Sequence, residues 1–351
     1  MHILQESKLI NTVIVDDSST VRAALKKILG DAKDINISGI ATNGLEAVEL
    51  VEKLRPDVVT LDIEMPVMNG LEALEKIKKV SPSTKIIILS SLTEEGAEIT
   101  FEALKKGADD FITKPSSFMD LFKLKEDLIN KIRSLSQSKV KPSFHRQKTE
   151  INPEFDDTPL IGIGASTGGP QVVSEILSGI KENLKAHVVV AIHMPEGFTQ
   201  TFAKRLNQSS RITVKEAENG EILKDSVAYI VKGGKNMIIE NFNGKRMFKT
   251  INKKSRFVPS IDLLLSSIAH TTKKNSVGII LSGMGNDGSE GVKEIKKYGG
   301  LNIAQNPESC VLPSMPENAI KTGKVDLILD PEQITEFLNN IQEVRYERKS
   351  I

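Results

Sequence analysis

Three residues that could form a hydrolytic site, Ser166, His193 and Asp287, lie far apart in the second part of the chain. Ser166 lies in the segment GIGASTGGP, residues 162–170, and matches the G-x-S-x-G pattern of a nucleophilic serine on a strand-to-helix turn. His193 and Asp287 follow other predicted strands. A serine nucleophile needs a base, and the base needs a group that orients it. Because the carboxyl ends of parallel strands share one crevice, the sequence predicts a Ser-His-Asp site for acyl transfer.

Other interpretations of the same residues stay open at this stage. The dinucleotide fingerprint G-x-G-x-x-G is disfavoured, because Thr167 stands at its sixth position and the next strand ends in His193 rather than in an acidic residue. Ser166 could instead cap the following helix, since serine is a favoured N-cap residue. His193 could be a packed histidine. The glycine-rich loop around Asp287 predicts backbone N–H groups, at Gly283, Gly285 and Gly288, that point toward an oxyanion.

A second group of residues in the first half of the chain could carry phosphoryl chemistry. Asp16 and Asp17 follow the first predicted strand, Asp62 ends the third, Ser90 the fourth and Lys114 the fifth. Carboxylates that converge repel one another unless a cation lies among them, and oxygen ligands favour Mg²⁺. Each residue alone could be a loop cap or a surface charge, but together they favour phosphoryl transfer to a carboxylate.

The elements that must position both groups alternate between strand and helix. Apolar, β-branched runs in the first part predict strands at Thr12–Val15, Ile35–Ile40, Val58–Leu61, Ile86–Leu89 and Phe111–Thr113. We predict an α/β fold in which a doubly wound, five-stranded parallel sheet of flavodoxin-like type precedes a second doubly wound, mostly parallel α/β domain. The predicted boundaries are 11–133 for the first domain, 134–157 for a flexible linker and 158–348 for the second domain.

Composition excludes several classes of protein. The chain has 351 residues, 39% hydrophobic and 26% charged, with a formal net charge of +1, so no global field favours nucleic acid. Cys310 is the only cysteine, which excludes a disulfide framework within one chain. The sequence shows neither a signal peptide nor a membrane-spanning run, so we expect a cytoplasmic protein that is not embedded in a membrane.

The first part of the chain resembles the receiver domains of response regulators. The resemblance rests on VIVDDSSTVR, LDIEMPVMNGLE, IIILSSLT and DDFITKP. It implies that Asp62 is the phosphoacceptor, that Asp16 and Asp17 serve Mg²⁺ together with Asp62, and that a histidine kinase is the phosphodonor.

The same resemblance assigns the other residues of this group. It implies that Lys114 contacts the phosphoryl group, that Ser90 is a switch hydroxyl and that Phe111 is a switch aromatic residue. It also implies a cis peptide bond between Lys114 and Pro115.

The second part resembles the catalytic domain of chemotaxis protein-glutamate methylesterases. The resemblance rests on GIGASTGGP, HMPEGFTQTFAKRLN, PSIDLLLSSIA, LSGMGNDGSEGV and AQNPESCVLPSMPENAI. It implies that Ser166 is the nucleophile, His193 the base and Asp287 its orienting group. Residues near the reacting carbonyl would be Thr167, Gly283, Met284 and Gly285.

The resemblance further implies a reaction and its regulation. The expected substrates are glutamate methyl esters of chemoreceptors, with release of methanol, and many members of the family also deamidate receptor glutamines. Hydrolysis is expected to need no metal, and phosphorylation of Asp62 is expected to regulate it. The alternatives are a receiver with a non-enzymatic docking domain or a DNA-binding regulator; the latter is disfavoured because no helix-turn-helix pattern follows the linker.

Overall fold

The computed structural model of the protein describes residues 9–114, 124–137 and 155–341. These residues fold as two compact units, one that ends at residue 137 and one that begins at residue 155. Within the described ranges, no helix combines the length and the apolar character that crossing a membrane requires.

The first unit is a parallel sheet with helices between its strands. In chain order its elements are β1 (Ile10–Val15), α1 (Ser19–Gly30), β2 (Ile35–Ala41), α2 (Gly44–Leu54), β3 (Val58–Asp62), α3 (Gly70–Val80), β4 (Lys85–Ser90), α4 (Glu94–Lys105), β5 (Asp110–Thr113) and α5 (Lys125–Gln137). The strand order is β2-β1-β3-β4-β5, and every pair is parallel. The predicted five-stranded parallel architecture is confirmed.

Capping residues that are visible in the sequence mark where helices of this unit begin. Asn43 and Asn69 are the N-cap residues of α2 and α3, and each side chain accepts a hydrogen bond from the backbone N–H three residues on. Helix α5 continues to Gln137, so residues 134–137 are helical and do not belong to the linker that was predicted to begin at 134. The physical reason is that Leu135 is buried in the unit. The remainder of the predicted linker up to 154, and Pro115 with its implied cis bond, lie outside the described residues.

The second unit contains a larger parallel sheet. Its elements are β6 (Leu160–Ala165), α6 (Gly169–Gly179), β7 (His187–Ile192), α7 (Phe198–Ser209), β8 (Thr213–Glu216), β9 (Val227–Ile230), β10 (Asn236–Phe242), β11 (Lys245–Ile251), α8 (Ile261–Thr272), β12 (Ser276–Ile280), α9 (Ser289–Lys297), β13 (Leu301–Gln305), α10 (Ser314–Lys321), β14 (Leu327–Leu329) and α11 (Pro331–Asn340). The seven-stranded sheet has the order β14-β13-β12-β6-β7-β9-β8 with parallel pairs, while β10 and β11 form a separate antiparallel hairpin.

Strand β6 lies at the point where the winding of the larger sheet reverses. Its neighbours are β7, which follows it in sequence, and β12, which comes much later. Ligand crevices of open α/β sheets form outside the carboxyl ends of the strands at such a point. The turn that carries Ser166 therefore opens into this crevice.

The glycines of β6 allow helix α8 to approach the sheet. A Cβ atom on Gly162 would lie 2.5 Å from a methyl group of Leu265 and 2.7 Å from one of Ile268, and a Cβ atom on Gly164 would overlap Ile261. These glycines are therefore explained by helix packing, which removes the main reason for assigning them to a phosphate-binding loop.

A comparable close contact in the first unit gives a testable prediction. A methyl group on Gly70 would overlap the carbonyl oxygen of Asp62 and lie 2.7 Å from the Cα atom of Ile63. We expect Gly70→Ala to lower the free energy of unfolding by about 2 kcal/mol, because backbone cannot yield as a flexible side chain can. The measurement is differential scanning calorimetry of the full chain.

The matched control is Gly30→Ala at the end of α1, where an added Cβ would meet no atom within 4 Å. This control should unfold at the same temperature as the unmodified protein or slightly above it. Equal midpoints for the two variants would contradict the packing argument.

Candidate active site and phosphoacceptor site

The turn after β6 presents Ser166 to the crevice. The Ser166 N–H donates to the carbonyl oxygen of Ser282 at 3.0 Å, and the Ser166 carbonyl accepts from the Gly169 N–H at 2.7 Å. Helix α6 has Gly168 as its N-cap residue, with no side-chain cap. The interpretation of Ser166 as a helix cap is therefore wrong. Its Oγ instead lies 3.2 Å from Nδ1 of His193.

His193 follows β7 and contacts both other residues of the predicted triad. Its Nε2 lies 2.9 Å from Oδ2 of Asp287. Because an ionised carboxylate can only accept a hydrogen bond, Nε2 carries the proton and the Nδ1 lone pair of a neutral ring faces Ser166. The side chain is 14% exposed, so the ring is enclosed yet accessible from one side.

Phe257 forms a face of this enclosure. Its ring stacks on the His193 imidazole with a centroid separation of 4.8 Å and an interplanar angle of 7°. This contact restrains the plane of the imidazole, as the Asp287 hydrogen bond restrains its rotation. Phe257 was not predicted as a site residue, although an aromatic residue three positions before Ser260, the N-cap residue of helix α8, is a signal for one.

The carboxylate of Asp287 is held at the N-terminus of helix α8. Its Oδ2 accepts from the Ile261 N–H at 2.8 Å, and its Oδ1 accepts from the N–H groups of Asp262 at 3.0 Å and Gly288 at 3.1 Å. Burial acts to raise the pKa of Asp287, but the hydrogen bond from His193, the positive charge that its ring carries when protonated, and the N–H groups of Ile261 and Asp262 outweigh it. The pKa is lowered, so Asp287 remains ionised beside the imidazole.

The loop between β12 and α9 corrects one expectation of the sequence analysis. The three glycine amides that were predicted to face an oxyanion already have acceptors: Gly283 donates to the Leu312 carbonyl at 2.9 Å, Gly285 to Ser314 Oγ at 2.8 Å and Gly288 to Asp287 Oδ1 at 3.1 Å. Backbone groups in an enclosed loop need partners, and the neighbouring segments supply them. Among the described residues, no acceptor contacts the N–H of Met284, which lies between two of these glycines.

Gly283 and Thr167, two of the residues predicted near the reacting carbonyl, lie beside Ser166. A Cβ atom on Gly283 would come within 2.8 Å of the Ser166 Cβ, so the chain approaches the serine at this position more closely than any side chain would permit. Thr167 is buried, and its carbonyl accepts from Ser282 Oγ at 2.8 Å. Ser282 itself is fully buried, and its N–H donates to Gln305 Oε1 at 2.8 Å. This polar network fixes the back of the Ser166 turn.

The carboxylates of the first unit converge as a separate site. One oxygen of each of Asp16, Asp17 and Asp62 lies within 4.8 Å of the others. The Lys114 Nζ lies 2.7 Å from Asp16 Oδ2 and 2.8 Å from Asp62 Oδ2. Asp16 and Asp62 are buried, whereas Asp17 is exposed.

Burial raises the pKa of Asp62 to about 6, although the Lys114 ammonium acts to lower it. Burial acts to lower the pKa of Lys114, but Asp62 and Asp16 outweigh it and the pKa is raised. Asp16, Asp17 and Asp62 offer oxygen donors, and the ammonium of Lys114 does not by itself balance three carboxylates, so the set fits a divalent cation such as Mg²⁺.

A depression of about 250 Å³ lies beside Asp62, and its lining includes Ser90 and Lys114. The Ser90 hydroxyl donates to the Gly96 carbonyl at 3.0 Å and accepts from Thr100 Oγ1 at 2.6 Å. The hydroxyl therefore points to α4 rather than to Asp62. Phe111 is buried and does not line the depression.

The fold and the two sites define a class of protein in which a receiver-type unit precedes a unit of serine-hydrolase type. Comparison with protein families agrees with this class. Residues 12–125 match the response regulator receiver domain, and residues 161–338 match the CheB methylesterase domain.

Relatives similar over nearly the whole chain carry the name protein-glutamate methylesterase/protein-glutamine glutaminase. The relative from Pyrococcus abyssi is 41% identical over 340 residues, which is 93% of this chain and 92% of the relative. The relative from Thermotoga maritima is 40% identical and covers 94% of this chain and 98% of the relative. The chain belongs to the protein-glutamate methylesterase/protein-glutamine glutaminase family.

A solved structure supports the fold of the second unit. The crystal structure of the Thermotoga maritima CheB methylesterase catalytic domain is 37% identical to the matching part of this chain. The match covers 53% of this chain and 99% of that domain, with a TM-score of 0.52.

Asp262, whose N–H donates to Asp287, gives a prediction about pH. Burial raises the pKa of Asp262 to about 6, the N–H of Gly291 acts to lower it, and the negative charge of Asp287 acts to raise it. A folded-state pKa above the unfolded value means that the folded state binds more protons between about pH 4 and 6, so stability falls as the pH rises through that range. Asp262→Asn keeps an acceptor for Gly291 and removes the charge.

We therefore expect Asp262→Asn to unfold at higher urea than the unmodified protein at pH 7.5, with the difference closing toward pH 4. Tyrosine fluorescence follows this unit, because all three tyrosines of the chain, Tyr229, Tyr298 and Tyr346, lie after the predicted linker. Glu336→Gln on helix α11, an exposed carboxylate, is the control and should show no such difference. If the urea midpoints of Asp262→Asn and the unmodified protein differed by the same amount at every pH, the raised pKa of Asp262 would be contradicted.

Proposed function

We propose that this chain hydrolyses glutamate methyl esters of chemoreceptors, with Ser166, His193 and Asp287 as its catalytic triad, and that it deamidates receptor glutamines at the same site. The observation that carries the proposal is the hydrogen-bonded series from Ser166 Oγ through the imidazole of His193 to Asp287, at 3.2 and 2.9 Å. Membership of the family supplies the substrate class, since the relatives are named for both reactions.

In the first half of the reaction, Ser166 Oγ attacks the carbonyl carbon of the ester and its proton passes to Nδ1 of His193. The imidazolium that forms is stabilised by the Asp287 carboxylate, which accepts the Nε2–H throughout. As the tetrahedral intermediate collapses, the proton on Nδ1 passes to the leaving oxygen. Methanol departs and the glutamyl side chain remains esterified to Ser166.

In the second half, water takes the place of methanol. His193 Nδ1 accepts a proton from the water as it attacks the acyl group, and then returns that proton to Ser166 Oγ. The products are the glutamate carboxylate and free enzyme. With a glutamine side chain the same steps release ammonia instead of methanol.

The N–H of Met284 is our candidate donor to the oxyanion, because it follows Gly283 beside Ser166 and has no acceptor among the described residues. A preorganised donor of this kind typically contributes about 10²–10³ in rate. Thr167, Gly283 and Gly285 are assigned to the shape of the site near the reacting carbonyl.

The first unit is proposed to regulate this reaction through phosphorylation of Asp62 by a chemotaxis histidine kinase. Asp16, Asp17 and Asp62 would hold Mg²⁺, which when bound offsets the negative charge of the phosphoryl group. Lys114 lies within hydrogen-bond distance of Asp62 and would contact a phosphoryl oxygen. Ser90 and Phe111 are the proposed switch residues: the Ser90 hydroxyl would leave Gly96 and turn toward the phosphoryl group. We propose that ester hydrolysis uses groups of the protein and no metal or cofactor. The protein is proposed to act in the cytoplasm without binding nucleic acid.

The catalytic assignment predicts the effect of removing one hydroxyl group. Ser166→Ala should lower the rate of methanol release from methylated receptor membranes by about 10³-fold or more, because no other nucleophile replaces Oγ. Ser178→Ala, at an exposed serine of helix α6, is the control and should retain full activity. Methanol release by Ser166→Ala at the rate of the unmodified protein would contradict the assignment of the triad.

The regulatory assignment predicts a response to a small phosphodonor. Acetyl phosphate should raise the rate of methanol release several-fold in the unmodified protein, and Asp62→Asn should abolish the stimulation while leaving the basal rate in place. Glu52→Gln, an exposed carboxylate of helix α2, should respond normally. Chelation of divalent cations should remove the stimulation only. Equal stimulation of Asp62→Asn and the unmodified protein would show that Asp62 is not the acceptor that matters.

A further inference from the structure

An arginine extends the aromatic stack at the candidate active site. The Cζ atom of Arg256 lies 5.3 Å from the centroid of the Phe257 ring, and Phe257 stacks on His193 at 4.8 Å. A cation over an aromatic face is attracted by the ring, so the guanidinium lies against the same side chain that stacks on His193. Arg256 is nevertheless exposed to solvent.

The donors of this guanidinium have no partner among the residues that the structure describes. In the described ranges Arg256 has neither a hydrogen-bond acceptor nor an ion-pair partner. A guanidinium that lies over a ring keeps N–H donors available, and two of them match the two oxygens of a carboxylate. An arginine that is positioned but unpaired beside an enclosed site is therefore suited to bind an anion that arrives from outside.

The segment that carries Arg256 is fixed before any ligand binds. Asn236 is buried, and its Nδ2 donates to the Lys253 carbonyl and to Ser255 Oγ, each at 2.8 Å. Ser255 Oγ in turn donates to the Phe257 carbonyl at 2.6 Å. A preorganised loop reduces the entropy lost when a ligand binds.

The charge around Arg256 favours an acidic ligand. Residues 252–257 read NKKSRF and include no acidic residue. Lys253 and Lys254 are both exposed, and neither forms an ion pair with the rest of the described chain. Three cationic side chains thus lie within four consecutive residues next to the stack on His193.

We infer that Arg256 binds a carboxylate of the substrate polypeptide beside the scissile ester, so that the preferred substrate is an ester flanked by acidic side chains. This inference rests on the proposed function and adds to it a specificity-determining residue. Lys253 and Lys254 contribute a local positive field that draws the acidic segment to the site. Arg256 takes no part in the transfer of protons.

The test uses the full chain and two synthetic helical peptides, each with one glutamate γ-methyl ester. In one peptide the residues that flank the ester are glutamates, and in the other they are glutamines. The measured quantity is the ratio of kcat/KM for methanol release from the two peptides at low salt. We expect the unmodified protein to prefer the glutamate-flanked peptide by about fivefold, the range of a partly exposed, charge-assisted pair.

Two variants and a control assign this preference to Arg256. Arg256→Gln should bring the ratio close to one, with the remaining preference due to the field of Lys253 and Lys254. Arg256→Lys, which keeps the charge but loses the two-pronged geometry, should give an intermediate ratio. Lys181→Gln, an exposed cation after the far end of helix α6, should keep the full ratio. Comparing ratios makes the result independent of any general loss of folded protein.

The results distinguish a failure of this inference from a failure of the proposed function. Equal rates on both peptides with the unmodified protein, or a full preference that survives in Arg256→Gln, would overturn this inference and leave the proposed function intact. The inference would also be overturned if Arg256→Gln changed the rates on both peptides by the same factor. That result would mean that Arg256 interacts with the enzyme itself rather than with the flanking residues of the substrate. If the unmodified protein released methanol neither from the two peptides nor from receptor membranes, the proposed function itself would be contradicted.

Discussion

The carboxylate of Asp287 is the group on which the geometry of the second unit depends. It accepts from the N–H groups of Ile261, Asp262 and Gly288 and from Nε2 of His193. The same interaction therefore satisfies the first turn of helix α8, orients the imidazole and keeps a negative charge buried beside it. A buried carboxylate costs free energy unless such partners are present, and here the backbone supplies most of them before His193 is counted. The site is thus built into the junction between a helix and a loop.

The same topological rule positions the chemistry of both units. In each sheet the functional side chains lie at or beyond the carboxyl ends of parallel strands around the point where the winding reverses: β1, β3, β4 and β5 in the first unit, and β6, β7 and β12 in the second. The chemistry differs because the residues at these ends differ. Asp16 and Asp62 with Lys114 suit a phosphoryl group and a cation, whereas Ser166 with His193 suits an acyl group.

The fold was predictable because strands that are buried on both faces appear in the sequence as continuous apolar runs. Val58–Asp62 is buried throughout, and the alternation of such runs with amphipathic helices permits few arrangements. The short strand Thr213–Glu216 and the hairpin of Asn236–Phe242 and Lys245–Ile251 were not predicted. Their patterns mix exposed and buried residues, so tertiary pairing rather than local periodicity defines them.

The candidate site was predictable in its residue types but not in its hydrogen bonds. The positions of Ser166 and His193 follow from the strand ends. Which amides of the glycine loop are already bonded depends on Leu312 and Ser314, which are distant in sequence, and so the expectation for Gly283 and Gly285 was wrong. The stack of Phe257 on His193 likewise requires the path of the loop before α8, which no local pattern fixes.

The most direct test of the central claim is to label the enzyme with a fluorophosphonate, locate the label by mass spectrometry, and measure methanol release at each degree of labelling. The account predicts that the label is attached to Ser166, that activity falls in proportion to labelling, and that Asp287→Asn slows the labelling. A protein fully labelled at Ser166 that still releases methanol, or one inactivated by a label at another residue alone, would contradict it.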